Sequence, residues 1–215
     1  MCIRDRKISF ALIISKEGKL IQIQDIRDNS GKKPRPIERI VPEAAIKSVN
    51  IAPDFLWGNS SYVLGFDEKG KPSRTKKAFQ AFRDYLESLS QNAGDEGLTA
   101  VCLFLKSWKP EKAVAFKNRD DLIGKNLVFR LEGEKRFIHE RPLVRKAWIK
   151  FKEGNSTGCR RPCLITGESR NISILHNPIK GIYDPGGQAQ KRIVSFNLDS
   201  FKSFNKGNLE KLLFF

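Results

Sequence analysis

Two cysteines and a histidine carry the first chemical suggestion in this sequence. In GCRRPCLITGESRNISILHNP, residues 158–178, Cys159 and Cys163 stand four apart, and twelve residues separate Cys163 from His176. That is three quarters of a Cys2His2 zinc-finger spacing, which needs a second histidine after three to five further residues on the same helix. Lys180, Gly181 and Ile182 occupy those positions, and Pro178 interrupts any helix beginning there. His139 completes a ligand set only from far along the chain. The favoured reading packs both cysteines as small apolar side chains, with no metal.

Other chemistries are also incomplete. A zinc deaminase carries His-x-Glu and Pro-Cys-x-x-Cys, whereas here His139 and Glu140 are adjacent and Thr166 stands where the second cysteine belongs. With 2 histidines in the chain, a Ser/His or Cys/His relay has few options, and His139 and His176 read as structural. Neither GKKPRP nor GIYDPGGQAQK contains the Gly-Lys-Ser/Thr of a phosphate loop. The expectation is a protein that is not an enzyme and uses no cofactor.

What remains is charge. The 215 residues include 40 Lys+Arg against 24 Asp+Glu, a net +16. Such a surplus attracts polyanions, and nucleic acid is the commonest partner of a domain like this. Hydrophobic residues at 40% and charged residues at 30% make an ordinary globular mix rather than a disordered one. No apolar run reaches the ~18 residues of a membrane span, and MCIRDR is too short and too charged for a secretory signal. The 4 cysteines show no disulfide framework, which fits a reducing cytoplasm.

The elements that must position these charges read as follows. KISFALIISKEGKLIQIQDI is a hairpin: Ile8, Phe10, Leu12 and Ile14 alternate onto one face, and Lys16–Lys19 turns. Residues 28–42 read as loop because Pro34, Pro36 and Pro42 remove backbone donors. A short strand is expected over Tyr62–Phe66. Two helices follow, one through Ala78, Phe79, Phe82, Tyr85, Leu86 and Leu89, the other through Leu98, Val101, Cys102 and Leu105. NLVFRLEGEKRFIH reads as a hairpin turning at Glu132-Gly133-Glu134, and HERPLVRKAWIKFKE as a helix with Pro142 in its first turn. Short strands are expected at Cys163–Thr166, Ile172–Leu175 and Ile193–Asn197. Strands and helices come in clusters rather than strict alternation, so the fold class is α+β: short antiparallel sheets and hairpins with three to four packed helices.

On these elements, GKKPRPIER presents Lys32, Lys33, Arg35 and Arg39 in a stretch held open by prolines, a good shape for touching phosphates. The helix after His139 carries Arg141, Arg145, Lys146, Lys150 and Lys152, which either track a nucleic-acid backbone or solvate a face. FLWGNSSYVLG offers Asn59, Ser60, Ser61 and Tyr62, able to reach a base edge or sugar. Its alternative is a tight turn with Trp57 and Tyr62 in the core.

The ordered series GKKPRP, IAPDFLWGNSSYVLGFDEKGKP, NLVFRLEGEKRFIHERP, CLITGE, ILHNPIKG and IVSFNLDSF resembles the large subunit of the type I-C CRISPR–Cascade complex, also called the Dvulg-subtype large subunit. The resemblance runs from Lys7 to Phe201. That family is not known as a zinc finger, which makes the cysteine spacing incidental. In the family a helical segment precedes the strand matching KISFALII; here MCIRDR stands in its place, so residues 1–6 are expected to be an adventitious leader. Beyond Phe201 the family continues, so 202–215 are expected to be a non-family tail at a truncation. Gly58 stands where the family often has an acid.

The resemblance implies that residues 7–201 are the N-terminal, PAM-recognition domain of a non-catalytic subunit. In such complexes guide RNA reads the target by base pairing while protein checks the short adjacent motif as a duplex and helps open the DNA. The implied partners are crRNA, target double-stranded DNA, the Cascade backbone subunits, and a helicase–nuclease recruited after R-loop formation, with no membrane. Lys32, Lys33, Arg35, Arg39 and Lys180 are expected on phosphates or the crRNA handle, and Asn59, Ser60, Tyr62 and Asn177 near the nucleic acid.

Overall fold

The run Phe10–Ile14, apolar throughout, becomes the second strand of the chain and sits inside a four-stranded sheet. The computed structural model describes residues 3–43, 51–67, 72–90, 93–116, 119–154, 160–162, 167, 169–171, 179–180 and 190–191. The chain divides into two compact units, Met1–Lys152 and Glu153–Phe215. Strands β1 (Ile3–Ile8), β2 (Phe10–Ile14), β3 (Leu20–Asp25), β4 (Ile37–Pro42) and β5 (Trp57–Asn59) precede the short helix α1 (Ser60–Val63). Then come α2 (Pro72–Ser90), α3 (Glu96–Ser107), α4 (Arg119–Leu122), β6 (Asn126–Leu131) and α5 (Pro142–Gly154). In the second unit β7 (Arg160–Pro162) pairs antiparallel with β8 (Ser169–Asn171), and β9 (Ile179–Lys180) with β10 (Gln190–Lys191). The fold is α+β.

The main sheet runs β3-β2-β6-β5. The β2–β3 hairpin is antiparallel, as the alternation predicts, but β2 and β6 run parallel, with Leu12 opposite Phe129. A parallel pair needs a long crossover, and here the intervening chain includes α2 and α3. Phe10, Leu12 and Ile14 meet Phe79, Phe82 and Leu86 of α2 and Leu98, Val101 and Leu105 of α3 in one core. Phe129 is its aromatic centre, stacked on Phe82 and edge-on to Phe104, with ring centroids 6.3 and 6.1 Å away. Truncating a buried phenylalanine such as Phe82 costs about 3–5 kcal/mol.

A second, smaller cluster gathers Ile8, Ala11, Val41, Trp57, Val128 and Phe137. The β1–β4 ribbon supplies Ile8 and Val41, and the Trp57 indole donates to the Pro42 carbonyl at 2.9 Å, tying β5 to β4.

Three local expectations are corrected. Residues 28–42 are not loop throughout: Ile37–Pro42 is strand β4, paired with β1 from Ile8↔Ile37 to Ile3↔Pro42. Pro36 precedes the strand and Pro42 closes it, positions on a two-stranded ribbon where a missing donor does little harm. Tyr62–Phe66 is not a strand, because Asn59 caps α1 over Ser60–Val63 and Gly65 leaves it with φ +74°. After the turn at Gly133 the return strand shrinks to one bridge, Arg130↔Phe137. The Glu140 carboxylate accepts the Phe137 N–H at 2.9 Å and starts a 3-10 turn over Ile138–Glu140 instead. The strands expected at Cys163–Thr166, Ile172–Leu175 and Ile193–Asn197 lie outside the described residues, as does the expected tail 202–215. Residues Ile3–Arg6 of the expected leader form part of β1.

Candidate nucleic-acid interface

The link between β3 and β4 is pinched at its base. Asp28 N–H donates to the Arg35 carbonyl at 2.8 Å, and Arg35 N–H returns to the Asp28 carbonyl at 2.9 Å. The Asp28 carboxylate turns the chain by accepting the Ser30 N–H at 2.9 Å, and that bond holds its pKa below the ordinary carboxylate range. Everything from Asp28 to Pro36 is exposed, so Lys32, Lys33 and Arg35 project from a closed loop into solvent. Just before the pinch, Arg27 is spent on structure. Its guanidinium forks onto Asp25 at 2.6–3.0 Å and lies 4.8 Å over the Phe10 ring. That hydrogen bonding lowers the Asp25 pKa and raises that of Arg27.

Arg39 continues the basic line on β4, exposed and with its guanidinium 5.9 Å from the Phe137 ring centroid. Directly across the ladder stands Arg6, over the Trp57 ring at 5.7 Å. Like charges opposite one another on paired strands repel, and a polyanion relieves that repulsion. Thus Lys32, Lys33, Arg35 and Arg39 lie on one continuous segment.

The FLWGNSS stretch is employed differently. Asn59 is half-buried, and its side-chain oxygen accepts from the Ser61 hydroxyl at 2.6 Å and the Tyr62 N–H at 3.4 Å. Ser60 is wholly buried, and its hydroxyl accepts the Gly124 N–H at 2.9 Å. Tyr62 is also buried, and its hydroxyl accepts the Ala52 N–H at 3.3 Å. The tight-turn alternative for Trp57 and Tyr62 describes this segment, and Asn59 alone keeps a share of surface. Asn177 lies outside the described residues. Lys180 pairs with Gln190 in the β9–β10 ladder, and its side chain also lies outside the description.

The zinc candidates Cys159, Cys163 and His176 lie outside the described residues. Cys102 is buried, as its helical face predicts; burial raises its pKa, and its thiol reaches the Leu86 carbonyl at 3.6 Å. His139 is buried too, with Nε2 3.2 Å from the Ile40 carbonyl, and desolvation pushes its pKa down. The described residues hold no group of three or more His, Cys, Asp or Glu that would suit a metal. Nor is any described helix long and apolar enough to cross a membrane.

Two basic features escaped the reading of the sequence. Arg74, Lys76 and Lys77 are exposed in the opening turns of α2, where no acid stands in the first turn to satisfy the helix dipole. The signal was present in the letters SRTKK. Arg136 stands beside α5 at the mouth of a cleft that only the tertiary structure creates.

Comparison with known proteins completes the site's context. No curated protein matches the chain. The family model described as CRISPR-associated protein (Cas_Csd1) matches residues 1–212, nearly all of the sequence. On that match, and with the ordered motif blocks it contains, the chain belongs to the CRISPR-associated Cas_Csd1 family.

Proposed function

We propose that this CRISPR-associated protein is a non-catalytic subunit of a type I-C Cascade complex that recognises the PAM duplex and helps nucleate the R-loop. Its partners in that reading are crRNA, target DNA, the backbone subunits and the helicase–nuclease that acts afterwards, all in the cytoplasm. One observation carries the reading: the pinched Asp28–Arg35 loop holds Lys32, Lys33 and Arg35 out in solvent, continuous with exposed Arg39. Cations fixed on a stiff base contact phosphates and set register, while sequence is read by few groups or by the guide. The test is the salt dependence of PAM-duplex binding. Lys32→Gln and Lys33→Gln should each lower the log–log slope by about 0.9 without altering PAM preference. An unchanged slope removes the loop from the interface.

A second reading makes this protein a docking module for the crRNA 5′ handle and backbone subunits, with DNA read elsewhere. The burial of Ser60 and Tyr62 favours it, because those groups are not free to read a base edge. Asn59 is the arbiter. If it reads the PAM, Asn59→Ala weakens good PAMs more than poor ones; equal loss on all duplexes supports the docking reading. Gel shifts with PAM duplex and with crRNA handle separate the two directly.

A further inference from the structure

A cleft of about 810 Å³ opens between β4 and α5. Pro142, Arg145, Lys146 and Ile149, spaced i, i+3, i+4 and i+7 on α5, form one wall, and Ile40 of β4 contributes to the other. Ile40 is 57% exposed and Ile149 36%, both unusual for isoleucine. Below them Phe55 and Trp148 also line the cleft, but their rings stack on each other at 5.9 Å and they are only 2% and 5% exposed. An unpaired base needs an open aromatic face to stack on, and these rings do not provide one. What the cleft offers is branched aliphatic side chains rimmed by cations, Arg136 joining Arg145 and Lys146. Glu140, the one acid among the described lining residues, is engaged by the Phe137 N–H.

We infer that this cleft is a docking groove for an amphipathic helix of a partner protein, one with aliphatic anchors and acidic flanks. Helix-in-groove recognition seats apolar residues at i, i+3, i+4 and i+7 of the incoming helix, and exposed Ile40 and Ile149 on the two walls give such anchors an apolar contact. Charge complementarity selects acidic flanks and disfavours a second copy of this chain, which carries +16. The inference stands apart from the phosphate-gripping loop.

The test uses the full chain and a fluorescein-labelled synthetic peptide of about 18 residues, long enough to form a helix. Leucines occupy i, i+3, i+4 and i+7, glutamates the opposite face. Anisotropy near physiological salt should show saturable binding that the same residues in scrambled order do not reproduce. Ile149→Glu and Lys146→Glu should each weaken it about tenfold, while Ile21→Glu, at an exposed position on β3, leaves it unchanged. Circular dichroism establishes that each variant is folded. Equal binding of the scrambled peptide, or indifference to both cleft substitutions, overturns the inference. So does a single-stranded oligonucleotide of about 12 nucleotides whose own binding is abolished by Ile149→Glu, for the cleft is then a nucleic-acid site. Lys32→Gln/Lys33→Gln, which tests the phosphate loop, should spare peptide binding; a loss as large as at Lys146 also overturns it.

Discussion

Asp95 and Arg141, 46 residues apart in sequence, meet at 2.9 Å and lock the start of α3 to the entry of α5. The same carboxylate caps α3 by accepting the Gly97 and Leu98 N–H groups at 2.8 and 3.1 Å. Arg141 in turn reaches Glu134 in the turn after β6. The hydrogen bonds to Glu134 and then Asp95 raise the Arg141 pKa. One buried aspartate thus serves as helix cap and as anchor for a cation. Removing it leaves two amide donors and a guanidinium short of an acceptor.

Asp95→Ala should therefore lose about 2–4 kcal/mol of stability, a cap's worth plus much of a broken buried pair. Urea midpoints measure it. Arg141→Met should cost less, because the Asp95 carboxylate it leaves behind still accepts the Gly97 and Leu98 N–H groups and the cap of α3 survives. The double variant should be less destabilised than the sum of the singles. Additivity within about 0.5 kcal/mol would show that the two side chains do not act together.

Gly18 and Gly133 both turn with positive φ, +76° and +78°, yet differ in surroundings. A Cβ on Gly18 would fall 2.5 Å from the Phe104 amide nitrogen, whereas one on Gly133 would meet nothing within 4 Å. Gly133→Ala then costs only the left-handed backbone penalty, about 1 kcal/mol. Gly18→Ala must also push the β2–β3 turn off α3, and should cost at least about 2 kcal/mol in a denaturant titration. Equal losses would mean that the turn and α3 are not in contact.

That contrast marks how far the sequence alone reaches. The helical spacing of Phe79, Phe82 and Leu86, and the alternation of Phe10, Leu12 and Ile14, are local periodicities, so the elements of the core were legible. The parallel pairing of β2 with β6 was not, because nothing near Leu12 names Phe129 as its neighbour. Strand β4 hid behind prolines whose harm depends on an edge position that only topology decides. The exposed cations of the Asp28–Arg35 loop were legible as a proline-rich basic stretch. Ser60 was misleading for a physical reason: a hydroxyl beside an asparagine suits a buried helix start as well as a base edge.

His139 predicts a pH dependence. Burial lowers its folded-state pKa below the ordinary value near 6.5. Glu140 and the Ile40 carbonyl oppose that shift and Arg145 adds to it. The unfolded chain therefore binds a proton that the folded chain refuses. The resulting stability is fully present above about pH 6.5 and is lost as pH falls toward the folded pKa. Wild type should lose stability as pH falls below about 6.5, by at most about 1.4 kcal/mol per pH unit from this group. His139→Gln should be flatter there, since glutamine does not titrate. Parallel pH profiles for the two proteins would assign the slope elsewhere.

Ser60 separates structure from recognition. Its hydroxyl is wholly buried and accepts the Gly124 N–H, joining α1 to the turn that enters β6. Ser60→Ala removes that acceptor from a partly exposed N–H and should cost about 0.5–1.5 kcal/mol in unfolding experiments. Binding to PAM duplex, measured well below the melting temperature, should keep the wild-type affinity, salt slope and PAM ranking. Under the proposed function Lys32→Gln and Lys33→Gln behave oppositely, losing slope while keeping stability, because an exposed side chain in a solvated loop contributes little to folding. Should Ser60→Ala instead change the PAM ranking at full stability, the hydroxyl turns outward when DNA arrives, and the α1 start would then have to open on binding.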